Sequence, residues 1–122
     1  MADIKRREIY MIDFSPGIGS EQLGVRPALI IQNNVGNRYS STVIVAIITK
    51  VHKKPLPTHV EINKGKHGLK VDSTIMLEQI RTIDKFRIGA KITVLDEEKM
   101  REVEEKILVS LGIDTETMIN IS

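Results

Sequence analysis

The stretch GSEQLGVRPALIIQNN (Gly19–Asn34) places an arginine and a proline directly before a run of aliphatic residues. The run ALIIQ is apolar on both faces of an extended chain, which is typical of a central strand covered on two sides. A second run of this kind, TVIVAII, begins at Thr42. The two segments predict a sheet with buried central strands, and they raise the question of why the first begins with Arg26, a permanent cation.

Three further segments are rich in Ile, Val and Thr and are bounded by Gly, Pro, Asn or Ser. One of them, THVEIN, alternates in polarity, which predicts Val60 and Ile62 on the core side and His59 and Glu61 on the solvent side. We expect that strand nearer an edge of the sheet. The predicted strands are Glu8–Phe14, Pro27–Gln32, Ser41–Thr49, Thr58–Asn63 and Ser73–Ile83.

One helix is predicted near the carboxyl end of the chain. Asp96 is a suitable N-cap, and Glu97 and Glu98 favour the positive first turn. Gly112 ends the apolar stripe, which consists of Met100, Val103, Ile107, Leu108 and Leu111. The five strands and the helix predict a fold that is mainly β with α. Because open strand edges promote aggregation, we expect the strands to form a small, strongly curved barrel with the helix packed on it.

Length and composition indicate one globular domain. The chain has 122 residues, 41% hydrophobic and 28% charged, and no cysteine, which excludes disulfide scaffolds, thiolate metal sites and cysteine nucleophiles. The basic amino terminus is followed by only a short, interrupted apolar stretch. This pattern predicts neither a secretion signal nor a membrane span, so we expect a cytoplasmic protein.

Charge is unevenly distributed although the net charge is only +2. Basic residues outnumber acidic ones before residue 96, and acidic residues outnumber basic ones after it. One interpretation is a chance scatter of solvated side chains, and the other is a basic body that binds a polyanion.

The motifs of several enzyme classes are missing from the sequence. The histidines His52, His59 and His67 are isolated and are expected at the surface, so no metal site is predicted. There is no G-x-S-x-G and no phosphate-binding glycine loop with G-K-[ST]. We therefore expect neither nucleotide hydrolysis nor a cofactor.

Polar residues at strand ends remain as candidates for chemistry. If the second and third predicted strands are antiparallel neighbours, Arg26 and Thr49 meet at one rim. A guanidinium and a hydroxyl stabilise the extra charge of a pentacovalent phosphorus, and RNA brings its own nucleophile, the ribose 2′-hydroxyl. The alternative is an ordinary strand-end arginine paired with Glu21 or Glu78 beside a threonine with no chemical role.

Four blocks of the sequence together resemble the MazF/PemK toxins, the endoribonuclease halves of toxin–antitoxin modules. The blocks occur in the family's order, within a region from Lys5 to about Leu111. They are GSEQ-x-GVRP-x-LIIQN (Gly19–Asn33), GNR-x-S-x-T (Gly36–Thr42), PTHVEI (Pro57–Ile62) and LEQIRTIDK (Leu77–Lys85).

The resemblance implies an SH3-like barrel with a carboxy-terminal helix, a homodimer, and metal-independent cleavage of single-stranded RNA at a short sequence. The products would carry 2′,3′-cyclic phosphate and 5′-hydroxyl ends. The family's catalytic arginine corresponds to Arg26 and its catalytic threonine or serine to Thr49. RNA contacts are implied at Gly19, Ser20, Glu21, Gln22, Asn33, Asn37, Glu78, Gln79 and Arg81.

The family also implies a cognate antitoxin, an acidic and partly disordered segment that competes with RNA for the basic face. We expect the domain to span residues 1–112, followed by a frayed tail at 113–122, with packing at a dimer seam as the alternative for the tail. With two Tyr and two Phe, base recognition would depend on hydrogen bonds rather than stacking. The rival functions are a non-catalytic toxin of the same fold, such as a topoisomerase poison, and an RNA-binding module.

Overall fold

The computed structural model describes residues 3–15, 24–50, 54–65 and 67–114. Six strands form one antiparallel sheet in the order β4-β5-β3-β2-β1-β6. The strands are β1 (Glu8–Asp13), β2 (Val25–Ile30), β3 (Thr42–Lys50), β4 (His59–Ile62), β5 (Ser73–Asp84) and β6 (Ile88–Val94). Two α-helices, α1 (Asn34–Tyr39) and α2 (Glu97–Leu111), and a 3₁₀ turn at Lys85–Arg87 complete the described structure.

The positions of the strands confirm the main expectations. The two doubly apolar strands, β2 and β3, occupy the middle of the sheet, and β4 lies at one end of it. Two elements were missed: β6, which carries Gly89 and exposed positions, and α1, which lies between the second and third predicted strands. Both are short or weakly periodic, so pattern alone does not distinguish them from connecting chain.

Apolar side chains fill both faces of the sheet. The helix-side core joins Ile9, Leu29, Ile48 and Leu77 to α2 through Met100 and Val103 and includes further residues of β4 and β5. The other core is formed by Tyr10, Ile12, Ala28, Ile30, Val43, Val45, Ile47 and neighbouring side chains. Successive residues of β2 and β3 alternate between the two cores, so the central strands are buried on both faces.

Strand β5 contains a bulge within its pairing with β3. Ala46 of β3 pairs with Ile80, whereas Ile48 pairs with Ile75, so extra residues of β5 lie between the two pairs. In the same region β4 pairs with β5, beginning with His59 opposite Met76. Such a bulge increases local twist and curves the sheet.

The described chain between β4 and β5, residues 63–65 and 67–72, extends across to the far edge strand. A Cβ added at Gly68 would lie 3.5 Å from Cγ2 of Ile92 in β6, and Leu69 is buried in the helix-side core. Among the described residues, β4 and β6 do not pair, so the predicted barrel is a curved sheet not closed by strand pairing.

Helix α2 starts and ends where the sequence predicts. Asp96 accepts a hydrogen bond from the Lys99 backbone N–H (2.7 Å), and Gly112 ends the helix with a φ of 68°. Leu111, predicted on the buried stripe, is 62% exposed, and in this last turn the contact with β5 is made by Ser110, whose hydroxyl donates to the Leu77 carbonyl oxygen (2.7 Å). Residues 115–122 of the proposed tail lie outside the described residues. The domain boundary at residue 112 therefore stays a prediction.

Candidate active site

The antiparallel pairing of β2 and β3 brings the two predicted catalytic residues to one rim. Ala28 pairs with Ile47, and carrying this register two residues further places Arg26 opposite Thr49. Alternation along each strand then directs both side chains to the same face of the sheet. The geometric expectation for this pair is met.

Arg26 and Thr49 also line one cleft, which has a volume of about 450 Å³. Among the described residues, the lining includes a second cation, Lys50, and no carboxylate. The full set is Gly24, Val25, Arg26, Pro27, Ile48, Thr49, Lys50, Val71 and Ser73. Two cations without a lining carboxylate make the cleft suited to an anionic ligand.

Three residues of this cleft were not singled out from the sequence. Lys50 is the last residue of β3, Ser73 is the first of β5, and Val71 precedes it. Lys50 and Ser73 are cross-strand partners, so the pairing of β3 with β5 brings this part of the lining together. In the sequence, only the position of Lys50 next to Thr49 indicates that one of these residues could lie in the cleft.

Asn33 and Asn37, predicted RNA contacts, both hold α1 in place. The Asn33 side-chain oxygen caps the helix by accepting from the Gly36 N–H at 2.8 Å. Asn37 is only 2% exposed, and its amide group donates to the Gln32 carbonyl oxygen (3.0 Å) and accepts from the Gln32 side chain (3.1 Å). The burial of the Asn37 side chain argues against its contact with RNA. No observation tests an RNA contact at Asn33 or Asn37, so both stay predictions.

Glu78 belongs to a cluster of polar side chains at the end of β4. Its carboxylate accepts from the Thr58 hydroxyl (2.8 Å) and hydrogen-bonds His59 Nε2 (2.9 Å). His59 Nδ1 accepts from the Leu56 backbone N–H (3.1 Å), so Nε2 carries the proton donated to Glu78. Partial burial alone raises the pKa of Glu78, but the hydrogen bonds from His59 and Thr58 outweigh it and lower the pKa.

Arg81 lines a second cavity, the arginine pocket, of about 240 Å³. Its guanidinium carbon lies 5.6 Å from the centroid of the Phe14 ring, and Arg87 donates to the backbone carbonyl oxygens of Asp13 and Ser15. The lining consists of Phe14, Arg81, Thr82, Ile83, Asp84 and Arg87. The structure therefore separates Arg81 and Glu78 from the lining of the Arg26 cleft, and Gln79 is half-buried beside them.

Two of the histidine expectations are wrong. His59 is 8% exposed and bound to Glu78, which also corrects the solvent-facing assignment in THVEIN. His67 is 5% exposed, and its Nε2 lies 3.0 Å from Asp96 Oδ2. A carboxylate partner compensates the burial of each ring, and these partners are too distant in sequence for spacing to reveal.

Some predicted site residues cannot be placed. Gly19, Ser20, Glu21 and Gln22 lie outside the described residues, as does His52. Within residues 3–15, 24–50, 54–65 and 67–114, no three His, Asp or Glu side chains group together as a metal site. In the same ranges, no helix is both long enough and apolar enough to cross a membrane.

Comparison with known proteins agrees with this geometry. The family model of the PemK-like, MazF-like toxins of type II toxin–antitoxin systems matches residues 5–111. A protein named endoribonuclease MazF from Staphylococcus saprophyticus is 54% identical over 113 residues, covering 92% of this chain and 94% of that protein.

Solved structures share the fold. MazF from Deinococcus radiodurans superposes with a TM-score of 0.79 at 22% identity, covering 93% of this chain and 100% of that one. The Mycobacterium tuberculosis toxin MazF-mt6 gives a TM-score of 0.77 at 24% identity, with coverage of 88% and 99%. A mycobacterial endoribonuclease in complex with its cognate antitoxin also gives 0.77, at 22% identity, with coverage of 91% and 97%. The chain belongs to the family of PemK-like, MazF-like toxins of type II toxin–antitoxin systems.

Proposed function

We propose that this protein is the toxin of a toxin–antitoxin pair and cleaves single-stranded mRNA at a short sequence, without a metal ion. The observation that carries the proposal is the shared cleft of Arg26 and Thr49, which places a guanidinium and a hydroxyl on one rim beside a second cation. The 54% identical relative is named an endoribonuclease, which supports the same activity.

The chemistry requires a nucleophile, a leaving group and charge stabilisation. The ribose 2′-oxygen attacks the adjacent phosphorus, forming the 2′-oxygen–phosphorus bond as the bond to the 5′-oxygen breaks. Water accepts the 2′ proton and supplies one to the departing 5′-oxygen. The products are a 2′,3′-cyclic phosphate and a 5′-hydroxyl.

Arg26 and Thr49 act on the charge that develops at phosphorus. The guanidinium offers several donors in a planar fork and stays protonated, so it serves as a charge stabiliser rather than a general base. The Thr49 hydroxyl adds one donor to a non-bridging oxygen. Together they play the part of an oxyanion hole for a pentacovalent phosphorus.

The RNA substrate and the antitoxin are expected to bind the same cationic cleft. A cationic cleft that binds RNA also attracts an acidic, partly disordered antitoxin, which would fold on binding and exclude the substrate. A related mycobacterial endoribonuclease is solved with its cognate antitoxin. We include a homodimer in the proposal, as the family resemblance implies, and a cytoplasmic location, because the substrate is mRNA.

The decisive experiment incubates the protein with end-labelled single-stranded RNA in excess chelator. We expect discrete fragments that begin at a short common sequence, with cyclic phosphate ends that acid converts to a 2′- or 3′-monophosphate. An RNA in which the nucleotide at the cut site is 2′-deoxy should stay intact because the nucleophile is missing.

Intact RNA at all enzyme concentrations would reject the nuclease and leave a binding toxin or an RNA-binding module. Cleavage of the 2′-deoxy RNA would show that the attacking oxygen is not the ribose hydroxyl. Cleavage that needs an added divalent cation would contradict metal independence.

A further inference from the structure

Four polar side chains lie in one row across the sheet, and Arg26 and Thr49 are two of them. Glu61 of β4 pairs with Thr74 of β5, and Thr74 pairs in turn with Thr49 of β3. The register of β2 with β3 places Arg26 opposite Thr49. The row therefore crosses four neighbouring strands in the order Glu61, Thr74, Thr49 and Arg26.

All four side chains of this row point to the same face of the sheet. Three of them have a strand neighbour in the helix-side core, namely Val60 beside Glu61, Ile75 beside Thr74 and Ile48 beside Thr49. Ala28, two residues beyond Arg26, belongs to the other core. Because successive residues of a strand alternate between the two faces, the whole row points away from α2.

Thr74 is completely buried, and its hydroxyl is held by Glu61. The hydroxyl donates to Glu61 Oε2 at 2.8 Å, whereas Glu61 itself is exposed. Since a threonine hydroxyl has a single proton, this bond uses the only donor of the Thr74 side chain. It also selects one χ1 rotamer, because rotation about the Cα–Cβ bond would break it. Thr74 is therefore a fixed side chain directly beside Thr49.

Thr49 must present its hydroxyl in one direction to donate to a phosphoryl oxygen. A threonine side chain has three staggered rotamers, which direct the hydroxyl to three different places. Side chains directly opposite each other on one face of an antiparallel pair lie about 4.5–5.5 Å apart at Cβ, so each restricts the rotamers of the other. A fixed Thr74 therefore restricts Thr49 more than a Thr74 that rotates freely.

We propose that Thr74 is a positioning residue for RNA cleavage and that Glu61 orients it. This inference rests on the proposed function, in which Thr49 donates to the phosphate. Glu61 holds Thr74, Thr74 restricts the rotamer of Thr49, and only Thr49 touches the substrate. Glu61 acts as a hydrogen-bond acceptor rather than through its charge, since a negative charge near the cleft would weaken the attraction of RNA.

The first test measures the cleavage rate constant under single-turnover conditions at saturating RNA. Thr74→Val keeps the shape of the side chain and removes the hydroxyl, and Glu61→Ala removes the acceptor. Each should lower the rate constant roughly three- to tenfold, threefold being the effect of three equally populated rotamers of Thr49. Glu61→Gln keeps an acceptor oxygen, so its rate constant should stay within about twofold of that of the unmodified protein.

A double-mutant cycle shows whether Thr74 acts through Thr49. In a Thr49→Val background there is no hydroxyl to direct, so adding Thr74→Val should change the remaining rate constant by less than about 1.5-fold. The Kd for an RNA that is 2′-deoxy at the cut site should not change either. Thr42→Val is the matched control, because Thr42 lies at the other end of β3 with its hydroxyl 3.1 Å from that of Ser40, and it should leave the rate constant unchanged.

The second test observes Thr49 by nuclear magnetic resonance in the absence of RNA. The three-bond couplings from Thr49 Cγ2 to its backbone nitrogen and carbonyl carbon report χ1. We expect the values of a single rotamer in the unmodified protein, in Glu61→Gln and in Thr42→Val. Thr74→Val and Glu61→Ala should give values averaged over several rotamers.

Thr49 couplings that are the same in Thr74→Val as in the unmodified protein overturn the inference. An equal effect of Thr74→Val on the rate constant with and without the Thr49 hydroxyl overturns it as well, because Thr74 would then act through another group or through stability. A Glu61→Gln variant as impaired as Glu61→Ala would contradict the role of Glu61 as an acceptor. Since the couplings are measured without substrate, an unmodified protein that shows the expected values but cleaves no RNA refutes the proposed function and supports the control of the Thr49 rotamer.

Discussion

The Arg26 cleft and the arginine pocket both place a guanidinium in a surface cavity, but their surroundings differ. Asp84 lines the arginine pocket, Arg87 there donates to two backbone carbonyl oxygens, and Arg81 stacks on Phe14. The described lining of the Arg26 cleft contains Lys50 and no carboxylate.

The difference shows that an arginine at a strand end does not by itself indicate a phosphate site. In the arginine pocket, acceptors within the protein compensate the positive charge locally, and a contact of Arg81 with RNA stays a prediction. The described lining of the Arg26 cleft supplies two cations and no carboxylate, a composition that suits an anionic ligand. Substitutions at Arg26, Thr49, Arg87 and Asp13 test this difference.

Arg26→Ala should have the largest effect. We expect the RNA cleavage rate to fall roughly a thousandfold, at the upper end for loss of an oxyanion donor, with little change in the melting temperature. Arg26→Lys should recover little, because a point charge lacks the planar fork. A fully active lysine variant, measured under single-turnover conditions, would show that charge alone suffices.

Thr49→Val should have the next largest effect. Loss of one hydrogen bond to a charged group corresponds to about a tenfold to hundredfold lower cleavage rate. Thr49→Ser keeps the hydroxyl and should be milder. Equal losses from the two substitutions would indicate that Thr49 acts through packing rather than through its hydroxyl.

Arg87→Ala should affect stability rather than cleavage. Removing its hydrogen bonds to Asp13 and Ser15 should lower the free energy of unfolding by about 1 kcal/mol, measured by urea denaturation. Arg101→Ala, at an exposed position on α2, is the matched control and should change it less. A large loss of cleavage with unchanged stability would assign the arginine pocket to substrate binding.

The smallest expected effect is a pH dependence at Asp13. The hydrogen bonds from the backbone N–H and side chain of Ser15, together with the charge of Arg87, hold the pKa of Asp13 below its usual value of 3.8. Because the folded-state pKa is lowered, this stabilisation is present above the unfolded-state pKa and is lost as pH falls through the folded-state value.

We therefore expect Asp13→Asn to lower the melting temperature slightly at pH 7. This difference from the unmodified protein should disappear as the pH falls through the folded-state pKa of Asp13, below which the aspartate is protonated as well. A difference that persists at the lowest pH would show that the asparagine disturbs the turn itself.

The central part of the fold follows directly from the sequence. Runs of β-branched residues that are apolar on both faces place β2 and β3 in the middle of the sheet, and the antiparallel pairing of these strands brings Arg26 to Thr49. The cap at Asp96 and the stop at Gly112 are local signals, so the helix boundaries are predictable too.

Other parts depend on contacts distant in sequence. The burial of His59 is compensated by Glu78, and Gly68, in the chain between β4 and β5, lies against Ile92 of β6. The periodicity of the sequence does not predict such contacts, because the residues that meet lie on different strands and connecting segments. Asn37 has the residue type of a base-reading side chain, and only its burial reveals the role in holding α1.

The contact between His67 and Asp96 links the start of α2 to the chain between β4 and β5. One carboxylate oxygen of Asp96 caps α2 at Lys99, while the other holds His67, next to Gly68. Loss of that single carboxylate would release the helix start and the chain around Gly68 together. Amide hydrogen exchange should therefore report the first turn of α2 and the chain around Gly68 as one cooperative unit, opening with a common free energy.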